Sequence, residues 1–203
     1  SSAASDVYKR QVDGYHEFDL RTPTRVLKKL RFLLPGKHNL SNAVVAMAMA
    51  LESGCEENDL RTAINSYKGV ERRFSYIIKN DSFIFIDDYA HHPREIDAVW
   101  HAICEMYPGK KTTVVFQPHL YSRTLNFADE FASSLSNFDT VLLLDIYAAR
   151  EVPIKGVTSN WLLKKIRSRN KKLVQKQMIT DIIQNYNNPI LITMGAGDIG
   201  EEI

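Results

Sequence analysis

Beyond Gly69 the sequence alternates short apolar runs with amphipathic stretches, and no other feature restricts the possible folds as much. The runs at 74–78, 83–87, 112–116, 140–144, 172–175 and 190–194 are too short for helices and read as strands. Between them, 93–107 places Ile96, Val99, Trp100, Ile103 and Tyr107 on one helical stripe, with Pro93 suited to the first turn. Further helices are expected over 125–135, 159–167 and 179–186. Strand, helix, strand in this order predicts an α/β fold, Rossmann-like, with a mostly parallel sheet covered by helices on both faces.

The preceding segment has a different character. Residues 15–20 and 26–34 alternate partially around Thr22-Pro23-Thr24 and predict a β-hairpin. After Pro35-Gly36, a well-buried helix is expected over 40–51, ended by Gly54, then a second over 57–67 with Leu60, Ala63, Ile64 and Tyr67 on one side. Residues 1–11 are small and polar without a period and read as a disordered or non-native leader.

Composition removes several classes of function. Twenty-six Lys and Arg against twenty-four Asp and Glu leave a charge of +2, which disfavours a protein devoted to a nucleic-acid backbone. The longest apolar runs fall far short of the roughly 20 residues that span a bilayer, so no membrane partner is expected. Only Cys55 and Cys104 occur, and no apolar leader precedes the patterned region, so a reducing cytoplasm is the default.

In open α/β sheets ligands bind beyond the carboxyl ends of the strands. Four loops there carry reactive side chains: Asp87-Asp88-Tyr89-Ala90-His91-His92, Gln117-Pro118-His119 through Arg123, Asp145-Ile146-Tyr147 through Glu151, and Gly195-Ala196-Gly197-Asp198. Each also has a plainer reading. The aspartates and His92 can cap the helix at Pro93, Arg123 can be a solvated charge, and Tyr147, Arg150 and Glu151 can be a polar loop. Adjacent histidines point apart on most backbones, so no metal site is assigned. Gly195, Gly197 and Gly200 have the spacing of a dinucleotide fingerprint, but the helix, second strand and acidic residue it requires do not follow in this sequence. A glycine turn that admits a ligand close to backbone is the expectation instead. There is no G-x-x-x-x-G-K-[ST] phosphate loop and no G-x-S-x-G elbow.

Taken in order, Pro35-Gly36-Lys37-His38-Asn39-Leu40-Ser41-Asn42-Ala43, Glu71-Arg72-Arg73-Phe74, Asp87 through Pro93, Phe116 through Thr124, Asp145 through Ala149 and Gly195 through Asp198 resemble the Mur ligases, in particular the members that add L-alanine. The resemblance implies an ATP-dependent amide ligase of peptidoglycan synthesis, acting through an acyl phosphate on UDP-N-acetylmuramate and L-alanine. It implies that His38, Asn39 and Asn42 contact the nucleotide, Asn39 and Asn42 at adenine. Arg72, together with Arg73, would neutralise phosphate, Asp88 and His91 would hold ribose and phosphate, and Tyr89, His119 and Arg123 would form the L-alanine pocket. Catalytic roles fall to Arg72, His91, His119 and Arg123.

By the same resemblance, 12–67 is the end of a central ATP-binding domain and 68–203 a C-terminal ligase domain that is cut short. The phosphate loop and the Mg²⁺ ligands are expected in sequence that precedes this chain, which predicts a fragment inactive alone. Glu71 stands where relatives commonly have glycine, and Leu120 where many have arginine. Two other readings remain open: a ligase that attaches a recycled peptide to the same sugar nucleotide, and a non-catalytic nucleotide-binding module.

Overall fold

The computed structural model describes residues 9–12, 15–185 and 188–202, divided into two compact units at Gly69 and Val70. The first unit is an antiparallel sheet of β1 (Lys9–Val12), β2 (Tyr15–Arg21) and β3 (Val26–Phe32), with α1 (Lys37–Glu52) and α2 (Glu57–Ser66). Phe18 and Leu20 of β2 and Leu27, Leu30 and Phe32 of β3 turn inward, the alternation of β3 being shifted between Leu27 and Leu30 by an irregularity at Lys29 (φ 55°), and they meet Leu40, Val44, Met47, Leu60 and Ile64 of the helices. Lys9–Gln11 do not belong to a structureless leader, because they pair with Phe18, Glu17 and His16 and continue the sheet. The cause is the edge of β2, whose unpaired backbone groups accept a third strand whatever its side chains are. Residues 1–8 lie outside the described residues.

The second unit is built on a six-stranded sheet in the order β4-β5-β9-β6-β7-β8, comprising β4 (Ser75–Lys79), β5 (Ile84–Asp88), β6 (Thr112–Phe116), β7 (Thr140–Leu143), β8 (Asn170–Leu173) and β9 (Ile190–Met194). All pairings are parallel except β4 with β5. Ile84, Ile86, Val114, Phe116, Val141, Leu143, Ile190 and Ile192 pack on one face against α3 (Pro93–Met106), α5 (Ala128–Leu135) and α6 (Ser159–Lys165). The intervening Phe85, Val115, Leu142 and Leu191 pack on the other against α7 (Ile179–Asn185) and Ile199. Burial on both faces is why these strands read as unbroken apolar runs.

Several boundaries differ from the sequence reading, and three of the differences have a local reason. The helix expected over 125–135 is two, α4 (Tyr121–Asn126) and α5, broken where Phe127 adopts φ −117°, ψ 25°. The strand expected from Phe74 begins at Ser75, because Phe74 itself has φ 53°. β8 sits two residues earlier than its apolar content suggests, since at the sheet edge Lys171 and Lys172 need no burial while Val174 packs beyond the pairing. No helix among the described residues is long and apolar enough to cross a membrane.

Candidate active site

The register aligns Asp88, Met194, Phe116, Leu143 and Leu173 in one row across the sheet, so the loops that follow leave from one edge. Along it, four rings make a chain: Tyr89 and His91 at 5.4 Å between centroids, His91 and His119 at 6.0 Å, His119 and Tyr147 at 5.6 Å. Arg123, one turn beyond His119 on α4, brings Nη1 to 3.5 Å from His119 Nδ1. Tyr89, His91, His119 and Arg123 are thus assembled as one cluster.

Hydrogen bonding fixes different tautomers for the two histidines. His91 Nδ1 lies 2.9 Å from the Tyr89 carbonyl, which only accepts, so neutral His91 carries its proton there and presents Nε2 as an acceptor. His119 Nδ1 faces a guanidinium, which only donates, so neutral His119 presents Nε2–H as a donor. Burial, then the charges of Arg123 and His91, lowers the His119 pKa below its usual 6.5, against a smaller opposing pull from Glu151. Burial and the neighbouring cation thus favour the neutral form of His119.

Arg72 and Asp88 have inward roles. The Arg72 guanidinium donates to Asp87 at 2.9 Å, to the Gly195 carbonyl at 2.7 Å and to the Gly197 carbonyl at 3.4 Å, while its own carbonyl accepts from Tyr89. Asp87, buried, also accepts from Thr193 Oγ1 at 2.7 Å. Removing Arg72 would leave the buried Asp87 carboxylate without its cation, which makes the pair costly to break. Both Asp88 oxygens accept backbone N–H groups at 2.7 Å, one from Phe74 and one from Ala90. Arg73 is exposed instead, its guanidinium 5.7 Å from the Tyr89 ring centroid.

The glycine turn admits the protein's own side chains. A Cβ on Gly200 would stand 2.6 Å from the Arg72 guanidinium carbon, and one on Gly197 would stand 2.4 Å from Gln117 Oε1 and 2.7 Å from Tyr147 Cγ. Gln117 in turn donates to Asp198 at 2.8 Å and accepts from Ile199 N–H, and Lys176 pairs with Asp198 at 2.9 Å. Burial raises the Asp198 pKa, but Gln117 and Lys176 outweigh it and hold the carboxyl below its usual range. Close approach to backbone was legible in the sequence; which group approaches was not.

In the first unit, Asn39 Nδ2 donates to the Pro35 carbonyl at 2.7 Å, and Asn42 is exposed on α1. The His38 side chain lies outside the described residues. The sequence reading keeps the loop of Tyr147 and Glu151 among the candidate loops but assigns neither residue a role, yet Tyr147 stacks on His119 and Glu151 binds Ser122. Both contacts join loops of adjacent strands, and no local pattern announces them.

Comparison with known proteins gives this geometry a family. The family model for "Mur ligase, glutamate ligase domain" matches residues 72–198. A UDP-N-acetylmuramate–L-alanine ligase of Christiangramia forsetii is 57% identical over 191 residues, 94% of this chain and 42% of the relative. One of Flavobacterium psychrophilum is 52% identical over 94% of this chain and 43% of the relative. The chain thus spans less than half the length of these relatives. Among solved structures, a UDP-N-acetylmuramate–alanine ligase from Thermotoga maritima superposes with TM-score 0.75 at 24% identity, over 93% of this chain and 41% of that one. A folylpolyglutamate synthase from the same organism gives 0.68 at 16%, over 95% and 44%. At these identities the superpositions show the fold alone.

Proposed function

The chain belongs to the Mur ligase family, and from that premise we propose that it forms the part of an ATP-dependent ligase that holds L-alanine for joining to UDP-N-acetylmuramate in peptidoglycan synthesis. The observation that carries this reading is the cluster of Tyr89, His91, His119 and Arg123, where a cation, a hydrogen-bond acceptor and a hydrogen-bond donor face the same edge. An α-amino acid about to attack an acyl group needs those three partners. The Arg123 fork matches its carboxylate, His91 Nε2 accepts from the amine as it gives up its proton, and His119 Nε2–H donates to the acyl oxygen as charge develops there.

ATP supplies the phosphoryl group that turns the lactyl carboxylate of the sugar nucleotide into an acyl phosphate, from which the amine then displaces phosphate. Of the arginine pair, Arg73 is the better phosphate partner, since the Arg72 donors are committed to Asp87 and two carbonyls. Asp88 serves indirectly, by fixing the turn that carries Tyr89 and His91. Asn39 and Asn42 are the adenine contacts in this reading. Mg²⁺ accompanies the nucleotide, but among the described residues no three His, Cys, Asp or Glu side chains converge, so none is assigned as its ligand. A reaction that consumes ATP and a nucleotide sugar belongs in the cytoplasm.

The test is phosphate release by the full-length protein that carries this chain, with L-alanine varied. Arg123→Ala should raise KM for L-alanine by about 100-fold, the scale of a lost charge-assisted pair, and leave KM for ATP within about twofold. An unchanged KM for L-alanine removes Arg123 from the pocket. A wild-type protein that prefers a whole peptide to L-alanine supports the recycling ligase instead.

A further inference from the structure

The loop at 145–151 is joined to the 117–123 segment at more points than strand pairing requires. Beyond the ends of β6 and β7, Leu144 N–H donates to Phe116, Tyr147 N–H to Pro118 and Leu120 N–H to Tyr147, at 2.9, 2.8 and 2.9 Å. His119 sits inside this extra ladder with its ring stacked on Tyr147 at an interplanar angle of 22°. Tyr147 borders a polar cavity of about 470 Å³; the two backbone bonds fix its backbone, and Gly197, lacking a Cβ, leaves room for its side chain.

The same loop then seizes the first turn of α4. Both carboxylate oxygens of Glu151 accept from Ser122, Oε2 from the backbone N–H at 2.9 Å and Oε1 from the hydroxyl. These bonds lower the Glu151 pKa below its usual range. Leu120, immediately before α4, has φ 74° and ψ 134°, a left-handed conformation that costs a non-glycine residue about 1–3 kcal/mol and persists only where its surroundings impose it. Ser122 lies between His119 and Arg123, so whatever fixes Ser122 sets the distance between their side chains.

We propose that Glu151 is a positioning residue for the amino-acid pocket: its clamp on Ser122, with Tyr147 behind His119, holds the strained turn at Leu120 and so keeps Arg123, which takes the amino-acid carboxylate, and His119, which donates to the acyl oxygen, as one rigid pair. The proposal rests on the pocket assignment above. Glu151 acts through geometry and makes no contact with the ligand. A glutamine there preserves the clamp, because its carbonyl accepts from Ser122 N–H and its amide donates to the hydroxyl, whereas an alanine abolishes it.

The experiment is NMR on this chain, following the His119 ring and Arg123 Nε–H signals, first free and then titrated with L-alanine. In the free protein, Glu151→Ala should erase the NOE between the His119 and Tyr147 rings and shift the Arg123 signal, while Glu151→Gln keeps both at their wild-type values. With L-alanine, Glu151→Ala should weaken binding about tenfold, the scale of losing hydrogen bonds to one charged group, Glu151→Gln less than twofold, and Ser122→Ala by an intermediate factor. Ser122→Ala combined with Glu151→Ala should cost no more than Glu151→Ala alone, as two halves of one clamp require.

Unchanged His119 and Arg123 signals in Glu151→Ala overturn the proposal. So does Glu151→Gln behaving as Glu151→Ala, since the charge and not the clamp would then matter. If Glu151→Ala fails to fold, Ser122→Ala carries the same comparison. A wild-type chain whose signals ignore L-alanine removes the pocket assignment, and the clamp is then decided by the NOE and Arg123 shift in the free variants.

Discussion

Asp88 has both carboxylate oxygens bonded to backbone N–H groups, and burial still pushes its pKa from 3.8 up to about 6. A folded-state value above the unfolded one means that the native protein binds the proton more tightly. The stabilisation is then complete below about pH 4 and lost as pH rises through 6. A rise of that size is worth about 3 kcal/mol. Asp198 and Glu151, whose values are lowered, act in the opposite sense and below the usual carboxylate range, so the two windows separate. Asp88→Asn should be less stable than wild type in acid, with the deficit shrinking by about 2–3 kcal/mol between pH 4 and pH 7 in denaturant titrations. A constant deficit across that range refutes the assignment. The sequence marks Asp88 as a site residue but cannot show that its oxygens are already taken, because one donor, Phe74 N–H, lies fourteen positions away on the chain.

At the scale of elements, local chemistry was readable wherever its partners are neighbours in sequence. The start of α3 is such a case. His92 Nδ1 accepts from Arg94 N–H at 3.3 Å, Glu95 Oε2 accepts from His91 and His92 N–H at 2.9 and 3.1 Å, and Pro93 occupies the first turn, where no N–H is needed. The plain reading of His92 as a cap holds, and the same turn that starts the helix sets the His91 ring 6.0 Å from that of His119. Glu95→Ala should lower unfolding stability by about 1 kcal/mol, while Glu95→Gln, which still accepts one bond, loses less than half of that. Thermal melts of the two variants decide it. In contrast, α4 is positioned by Glu151, twenty-nine residues from Ser122, and its six residues gave no helical stripe of their own. That is why the sequence reading has one helix over 125–135 and places no separate helix at 121–126.

At the scale of the whole chain, the strands were recognisable because burial on two faces demands unbroken apolar runs, but their order was not. Ile190–Met194 is wholly buried and β8, with exposed residues beside Lys171, is not, which distinguishes centre from edge without saying which neighbours the centre takes. In the structure β9 lies between β5 and β6 and is hydrogen-bonded to both. Deleting 190–203 should therefore abolish the cooperative unfolding transition of the second unit, because β4-β5 and β6-β7-β8 would share no strand. A deletion variant that still melts sharply contradicts this.

That arrangement also sets a timetable for synthesis. A ribosome delivers the chain from its amino end, so the strand in the middle of this sheet is the last of the six to appear. At roughly 5–20 residues per second, several seconds pass between the emergence of β6 and that of β9. Throughout that interval the strand positions on either side of β9, in β5 and β6, have no partner between them, and their backbone groups stay open until Ile190–Met194 slots in.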